Sequence, residues 1–529
     1  MIVTYKNNRL VPAVLITVCF WAAYCLVDPS VNNFGSTLSG WGFKEDETRT
    51  SESTPTLETT IIAGATSPTN DATPPTVSPS NLETTQPGSS GNLSATDVLL
   101  IVKTGSTSMW KRLLVHLTTT LSPRRIPLEN TVVYSDYPET IGDIQIIDIL
   151  ANITKTTQAL SDFDVYRQHP EYVGHNVYVE AAGVDGDNYG PPGGWIIDKY
   201  KFMPLIEHAG NNWPNAKWYI YMEDDAYLFL PNVLAYLSNF DWRKPHYLGS
   251  YAAKSDIVFA HGGAGFALSR GAWEKTFGQN PNMSTDYEAY AAAHCCGDQV
   301  LGHALNKHGV RFGENDGDEK FTWGFNPVVH WRFGFSRWNW CSPLMSWHKV
   351  HNRDVARYFA FESSWDFTVS ESHLRPALLT FDSFLFPLLR PIIPSPSQQR
   401  YLTGLQKPLL HRDFFMGMTF PVLQKRAEWW DNQSGLFRIT SANKADPLTP
   451  EEEHDTGLWK GAWVSADACE AACKAWTACV QWSYVEDLCN MDDKLMMDQG
   501  YAPAMAERKT ALKTTSGWLL ERLDAWHCD

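Results

Sequence analysis

Five apolar or aromatic residues, Trp218-Tyr219-Ile220-Tyr221-Met222, run directly into three carboxylates, Glu223-Asp224-Asp225, followed by Ala226-Tyr227. The run reads as a buried strand of an α/β protein. Carboxylates crowded at the carboxyl end of such a strand repel one another unless a hard cation neutralises them, so the segment predicts a divalent-metal site. Two other acidic triplets, Glu45-Asp46-Glu47 and Glu451-Glu452-Glu453, lie in polar surroundings and read as solvated charge runs. The strand in front of Glu223 is what separates it from them.

At the N-terminus, Lys6 and Arg9 precede an apolar run from Leu10 to Val27 interrupted only by Pro12 and Thr17. That length suffices for a bilayer span, and the flanking positive charges place residues 1–9 in the cytosol, 10–27 in the membrane and the rest in a lumen, a single-pass type II topology. A cleaved signal peptide, with Ala22-Ala23 near the cut, is the competing reading, but the run is longer than a usual signal core. Residues 28–96 are expected to form a disordered stem: from Lys44 the chain is rich in Ser, Thr and Pro, and no aromatic residue occurs between Phe43 and Trp110. Such a composition cannot bury enough apolar surface to fold. Sequons at Asn92, Asn152, Asn282 and Asn432 would all be luminal.

Cys19 and Cys25 lie in the apolar run. The other eight cysteines, Cys295, Cys296, Cys341, Cys469, Cys473, Cys479, Cys489 and Cys528, are an even number that suits an oxidising lumen, and none has the paired spacing of a structural zinc site. A net charge of −16 argues against nucleic acid as a partner. The chain beyond Thr96 is too long for one small core, which predicts two folded units.

In the first unit, residues 97–361, Asp97 to Val102 reads as a buried parallel strand, a helical pattern continues through Leu121, and Thr131 to Asp136 reads as the next strand. Strand, helix, strand opens a nucleotide-binding α/β domain. A helix is expected from Ile196 to Ala209, carrying Lys199 and Lys201 and interrupted or shortened by Pro204. Another starts at Pro231 and runs to Leu237. His261-Gly262-Gly263-Ala264-Gly265-Phe266-Ala267-Leu268-Ser269 is either a loop that lets backbone approach a ligand or a tight turn before a strand. Asp298, in the first turn of a helix beginning near Gly297, is either a reactive acid or a complement to the helix dipole. His348, within Ser346-Trp347-His348-Lys349-Val350, is either a core histidine or an imidazole recruited to the carboxylate-held metal.

In this order the segments resemble glycosyltransferase family 31, the inverting β1,3-glycosyltransferases that include Fringe and the core 1 galactosyltransferases, and most closely its fungal branch. The resemblance spans roughly Val98 to Phe361. It rests on Glu223-Asp224-Asp225-Ala226-Tyr227, on Gly262-Gly263-Ala264-Gly265-Phe266-Ala267-Leu268-Ser269, on Gly297-Asp298-Gln299-Val300-Leu301-Gly302 and on Ser346-Trp347-His348-Lys349-Val350. It implies a GT-A type fold with a Rossmann-like mixed sheet, located in the Golgi membrane with the catalytic part luminal. The implied reaction moves a hexose or N-acetylhexosamine from a UDP-sugar to a glycan on protein or lipid, with inversion and a β1,3 linkage. By the same resemblance Asp225 and His348 hold Mn2+ or another divalent cation with help from Glu223, and Asp298 is the general base. Glu223, Asp224, Gly262, Gly263 and Gly265 then line the donor, and Lys199 or Lys201 adds a cation near its phosphates, a solvated helix face being the plainer role for at least one. Two positions depart from the family pattern: Glu223 replaces an Asp, and Gly297 replaces the acid before Asp298. Neither removes the metal carboxylate or the base, so an active enzyme is expected.

Residues 362–442 read as a packed connection without a chemical signature. Residues 443–529 place Cys469 and Cys473 on one face of a helix, followed by Cys479 and Cys489, and resemble a PAN/Apple module, a small disulfide-stapled α+β unit. Sequence alone allows three pairings of these four; the resemblance implies Cys469 with Cys489 and Cys473 with Cys479. Cys528 either reaches back to the first unit or stays free. Two rival readings remain at this stage: a membrane-tethered carbohydrate-binding or adhesion protein with an inactive transferase unit, and a hydrolase pairing Glu223 or Asp225 with Asp298.

Overall fold

The computed structural model describes residues 93–174, 194–255, 257–313, 324–367, 407–442, 458–500 and 512–528. The anchor and the stem, except Leu93 to Thr96, lie outside the described residues. Among the described residues no helix is long and apolar enough to cross a membrane.

Strands β1 (Val98–Lys103), β2 (Thr131–Ser135), β3 (Glu139–Ile141), β4 (Ile144–Asp148) and β5 (Trp218–Glu223) are joined by β7 (Tyr247–Gly249) and β10 (Phe266–Ser269) in one mixed sheet. Its order is β3-β4-β2-β1-β5-β10-β7. β1, β2, β4 and β5 run parallel, whereas β3, β7 and β10 enter antiparallel to their neighbours. The central strands are buried on both faces, as a near-continuous apolar sequence requires. Leu99, Ile101, Tyr219 and Tyr221 face one core, while Val98, Leu100, Val102, Trp218, Ile220 and Met222 face the other.

Helix α1 (Met109–Thr118) packs on the second of these faces through Met109 and Leu113, with α3 (Leu230–Leu237) through Val233 and Leu237. Helices α2 (Phe202–Asn212) and α4 (Gly297–Lys307) cover the first through Leu205, Ile206, Val300 and Leu301. The helix expected over 196–209 is divided: a short turn, Gly194–Ile197, passes through a 3-10 turn, Asp198–Tyr200, before α2 begins. Pro204 thereby falls in the first turn of α2, where its missing N–H costs no helix bond.

A three-stranded sheet, β11 (Phe325–Asn326), β12 (Ser346–His348) and β6 (Ala226–Leu228), lies after the end of β5. β6 follows the acidic triplet without a break and pairs antiparallel with β12, His348 opposite Ala226. A distant segment is thus carried to the carboxylates by strand pairing. Two further strands, β8 (Tyr251–Lys254) and β9 (Ile257–Ala260), form a hairpin.

The C-terminal part is a five-stranded antiparallel sheet in the order β13-β19-β16-β17-β15: β13 (Arg426–Glu428), β15 (Phe437–Thr440), β16 (Gln481–Val485), β17 (Leu488–Asp492) and β19 (Thr514–Trp518). β14 (Trp430–Asp431) pairs with β18 (Gln499–Gly500) beside it. The sheet therefore takes β13 and β15 from residues upstream of the 443 boundary read from sequence. Helix α6 (Ala466–Ala475) is stapled to it by Cys469–Cys489, and Cys473–Cys479 closes its C-terminal turn. Cys341–Cys528 ties the C-terminus back to the segment before β12, and the adjacent Cys295 and Cys296 pair with each other. An aromatic core of Tyr227, Phe229, Trp340, Trp347, Tyr358 and Phe414 runs on into Leu495, Trp518 and Leu523 of the C-terminal part. Helix α5 (Asn352–Ser364) supplies Tyr358 and Glu362, the latter taking Arg125 and the Tyr227 hydroxyl.

Candidate active site

Strand β5 ends between β1 and β10, so Glu223 stands opposite Lys103 at the carboxyl edge of the sheet. The three acids then diverge. Glu223 accepts from the Tyr221 hydroxyl at 3.1 Å and lies 3.2 Å from the Lys103 ammonium. Asp224 turns into the loop after β1, accepting from the Thr104 and Ser108 hydroxyls at 2.7 and 3.0 Å. Burial pushes its carboxyl up, Arg112 working against this and Asp225 adding to it. Asp225 turns the other way, its Oδ1 3.4 Å from His348 Nε2 and its Oδ2 3.3 Å from the Arg112 guanidinium. Burial would raise Asp225, but His348, Arg112 and Lys103 together hold it well below the usual carboxylate range. Burial likewise opposes charge on His348, and Asp225 and Glu223 outweigh it and raise the imidazole.

Ligand atoms of Glu223, Asp225 and His348 all lie within 4.8 Å of one another. Asp225 Oδ1 is enclosed and accepts no hydrogen bond, an arrangement that disfavours a lone carboxylate and fits one waiting for a cation. His348 Nδ1 sits 3.0 Å from the Pro327 carbonyl, which assigns it a proton and leaves Nε2, facing Asp225, as the nitrogen whose proton a metal ion would replace. Two carboxylates and one imidazole suit a divalent ion of the manganese type. The backbone fixes the pair as well: Val350 N–H donates to the Asp225 carbonyl at 2.7 Å.

The loop His261 to Gly265 threads between His348 and Asp298. A Cβ at Gly263 would stand 2.2 Å from the His348 ring, and at Gly262 2.9 Å from Phe202 and 3.3 Å from the Asp298 side chain. Gly265 has φ +82°. Gly262 and Gly263 are therefore demanded by the approach of the Phe202, Asp298 and His348 side chains, and Gly265 by the backbone. Asp298, in the first turn of α4, accepts from Gly262 N–H through Oδ2 and from Gln299 N–H through Oδ1, both at 2.8 Å. Burial pushes it up to about 6; Gly262 N–H opposes this and nearby Glu223 adds to it. A carboxylate so tuned can both hold and release a proton near neutral pH.

The structure brings together Glu223, Asp225 and His348, places Asp224 behind them and Asp298 across the glycine loop. It brings neither expected lysine to the triplet. Lys199 pairs with Asp162 at 2.8 Å and donates to the Ala292 carbonyl. Lys201 is fully buried between Asp136 and Asp198, each at 2.7 Å, and donates to the Thr104 carbonyl, where it braces the loop after β1. The cations at the triplet are Lys103, which also pairs with Asp198 at 2.6 Å, and the half-exposed Arg112. Sequence reasoning passed over both. Arg112 had a signal: Ser108 and Arg112, four apart in the helical pattern, share the face that meets Asp224.

Residues 93–311 match the model of a family described as Fringe-like. The match covers β1 through α4 and includes Lys103, Arg112, the acidic triplet, the glycine loop and Asp298, while His348 and the C-terminal sheet lie beyond it. No curated protein matches the chain.

Proposed function

We propose that the Fringe-like domain is a working, metal-dependent glycosyltransferase that moves a hexose or N-acetylhexosamine from a UDP-sugar to a glycan hydroxyl with inversion, forming a β1,3 linkage. The observation that carries the reading is the orphaned Asp225 Oδ1 facing His348 Nε2, with Glu223 within ligand distance. A divalent cation held by these three would offset the charge growing on a leaving diphosphate. The chain's own groups supply the rest. Arg112 presents a half-exposed guanidinium at the edge of the carboxylates, suited to diphosphate oxygens. Gly262 and Gly263 let backbone close on the sugar without side-chain interference. Asp298 takes the proton from the acceptor hydroxyl as its oxygen attacks the anomeric carbon, and the bond to the diphosphate breaks on the opposite face.

Luminal placement through a membrane anchor at residues 10–27, in the Golgi, is part of the same proposal and is supported by the sequence pattern and by disulfides in the folded part. The C-terminal sheet is proposed as a PAN/Apple-like module on the strength of its stapled helix. A thermal-shift and donor-hydrolysis screen of the full chain tests the enzyme reading, using Mn2+ with UDP-galactose, UDP-glucose, UDP-N-acetylglucosamine and UDP-N-acetylgalactosamine. One donor should raise the melting temperature only with Mn2+ present, and Asp225→Asn and His348→Ala should abolish the shift. Binding of a glycan with no response to any donor would favour the carbohydrate-binding protein instead.

A further inference from the structure

Among the described residues the Cys295–Cys296 disulfide differs from the other three in position and exposure. Cys341, Cys528 and the four cysteines at α6 and its neighbours are buried, none more than 6 % exposed. Cys295 is exposed and Cys296 half-buried. The pair sits at the start of α4: Cys296 is the N-cap, and its carbonyl accepts the first helical bond from Val300 N–H at 3.1 Å. Two residues on comes Asp298, whose oxygens accept from the Gly262 and Gln299 backbone N–H groups.

The helix start is confined from both sides. On the inner side a Cβ at Gly297 would stand 2.2 Å from the Phe202 ring, so the turn cannot move toward the core. On the solvent side the two sulfurs close a small ring around the peptide between Cys295 and Cys296, which removes backbone freedom there. Lys254, on β8, reaches this ring, its ammonium 2.6 Å from Cys295 Sγ.

Resting on the transferase reading above, we propose that the Cys295–Cys296 ring is a positioning element for Asp298, and that it is the disulfide a soluble thiol or phosphine reductant opens first. In that step the reductant supplies two electrons; the two protons come from the thiol groups of a dithiol, or, with a phosphine, from a water molecule that also gives the oxide its oxygen. The S–S bond breaks, two thiols form, and a dithiol reductant closes to its own disulfide or a phosphine becomes its oxide. The α4 start then regains the freedom the ring had removed, and Asp298 loses its fixed register against Gly262. Lys254 beside the sulfur favours the thiolate over the thiol once the bond is open.

The test uses the full chain, wild type and Cys295→Ala/Cys296→Ala. Graded tris(2-carboxyethyl)phosphine with alkylation and peptide mapping should label Cys295 and Cys296 before any of the six buried cysteines. Hydrogen exchange should quicken over residues 261–265 and 296–302 in the double variant, with the rest of the chain unchanged. Turnover of the UDP-sugar screen with Mn2+ should fall roughly tenfold in kcat with KM for the donor unchanged, as a small misplacement of a base predicts. Labelling of all cysteines together, or exchange in the double variant equal to wild type, overturns the proposal. A wild-type chain that turns over no donor sinks the transferase reading, while the labelling and exchange results still decide whether the ring holds the helix start.

Discussion

At the scale of single residues the decisive contrast is between Asp225 and Asp298, both half-buried acids, shifted in opposite directions. Cationic neighbours outweigh burial at Asp225, whereas at Asp298 burial and the field of Glu223 outweigh two backbone N–H groups and the more distant Lys103. Asp225 thus stays ionised at any working pH, and Asp298 exchanges a proton near neutrality. Turnover should rise as pH climbs through about 6 and level off above it, because only the ionised form accepts the acceptor's proton. The stability term runs the other way. The folded value lies above the ordinary 3.8, so the folded chain holds the extra proton between the two values and loses stability as pH rises across that window. Asp298→Asn should therefore cost on the order of 10²- to 10⁴-fold in kcat while leaving Mn2+-dependent donor protection in place. It should also remove the fall in stability between those two pH values. Retained turnover in Asp298→Asn, or an acid limb that survives the substitution, would show that another group takes the proton.

At the scale of elements, the site is a strand end, a glycine loop and a helix start held edge to edge, with β12 sewn to β6 so that His348 meets Asp225. The glycine loop is the sensitive joint. Gly263→Ala would drive a methyl carbon against the His348 ring, whose backbone is held by the pairing of β12 with β6, so the ring must swing away from Asp225 to make room. The expected cost is about 1–3 kcal/mol of stability, the usual range for overpacking, together with loss of the Mn2+-induced rise in melting temperature. Calorimetry with and without Mn2+ checks both; an unchanged metal response would mean that the ring is not a ligand. This geometry also explains what sequence could and could not disclose. The strand end, the glycines and the helix start each have a local signature: a run of apolar residues that stops, an absence of side chains, a first-turn acid. The Lys103–Asp198–Lys201–Asp136 chain of charges has none, because its members come from three separate segments and acquire meaning only when the sheet aligns them. Lys199 and Lys201 are examples: the carboxylates they meet, Asp162 for the first and Asp136 and Asp198 for the second, are announced by no local pattern. Position on a helix near the site indicated cations, but not which carboxylates they would meet first.

At the scale of the whole molecule, the C-terminal sheet is part of the same core as the segments that carry His348 rather than a detachable appendage. Trp526 packs edge-on against Trp340 at 5.1 Å, Leu495 bridges to Phe335, Cys528 is bonded to Cys341, and Trp518 shares the aromatic cluster with Trp347, the neighbour of His348. A chain ending at residue 442 would strip these partners from large apolar side chains, each worth roughly 1.5–3 kcal/mol when buried. It should be recovered as aggregate, and a soluble, Mn2+-responsive truncation would show the two parts to be independent. The same packing separates the sequons. Asn152 and Asn282 are exposed, flanking the Glu288 segment, which binds Thr154 on one side. Asn432 is fully buried, its amide donating to the Trp482 carbonyl and its oxygen accepting from the Ser434 hydroxyl at 2.7 Å. A glycan there is incompatible with the sheet, whereas at the other two it projects into solvent. Expressed in secretory cells, the full chain should carry sugar at Asn152 and Asn282 and none at Asn432, as peptide mapping after enzymatic deglycosylation in heavy-oxygen water will read. Sugar at Asn432 in folded protein contradicts the packing described for that sheet. Bare Asn152 and Asn282 in a chain that intact vesicles protect from protease contradict their free exposure, and a chain the protease reaches was never luminal.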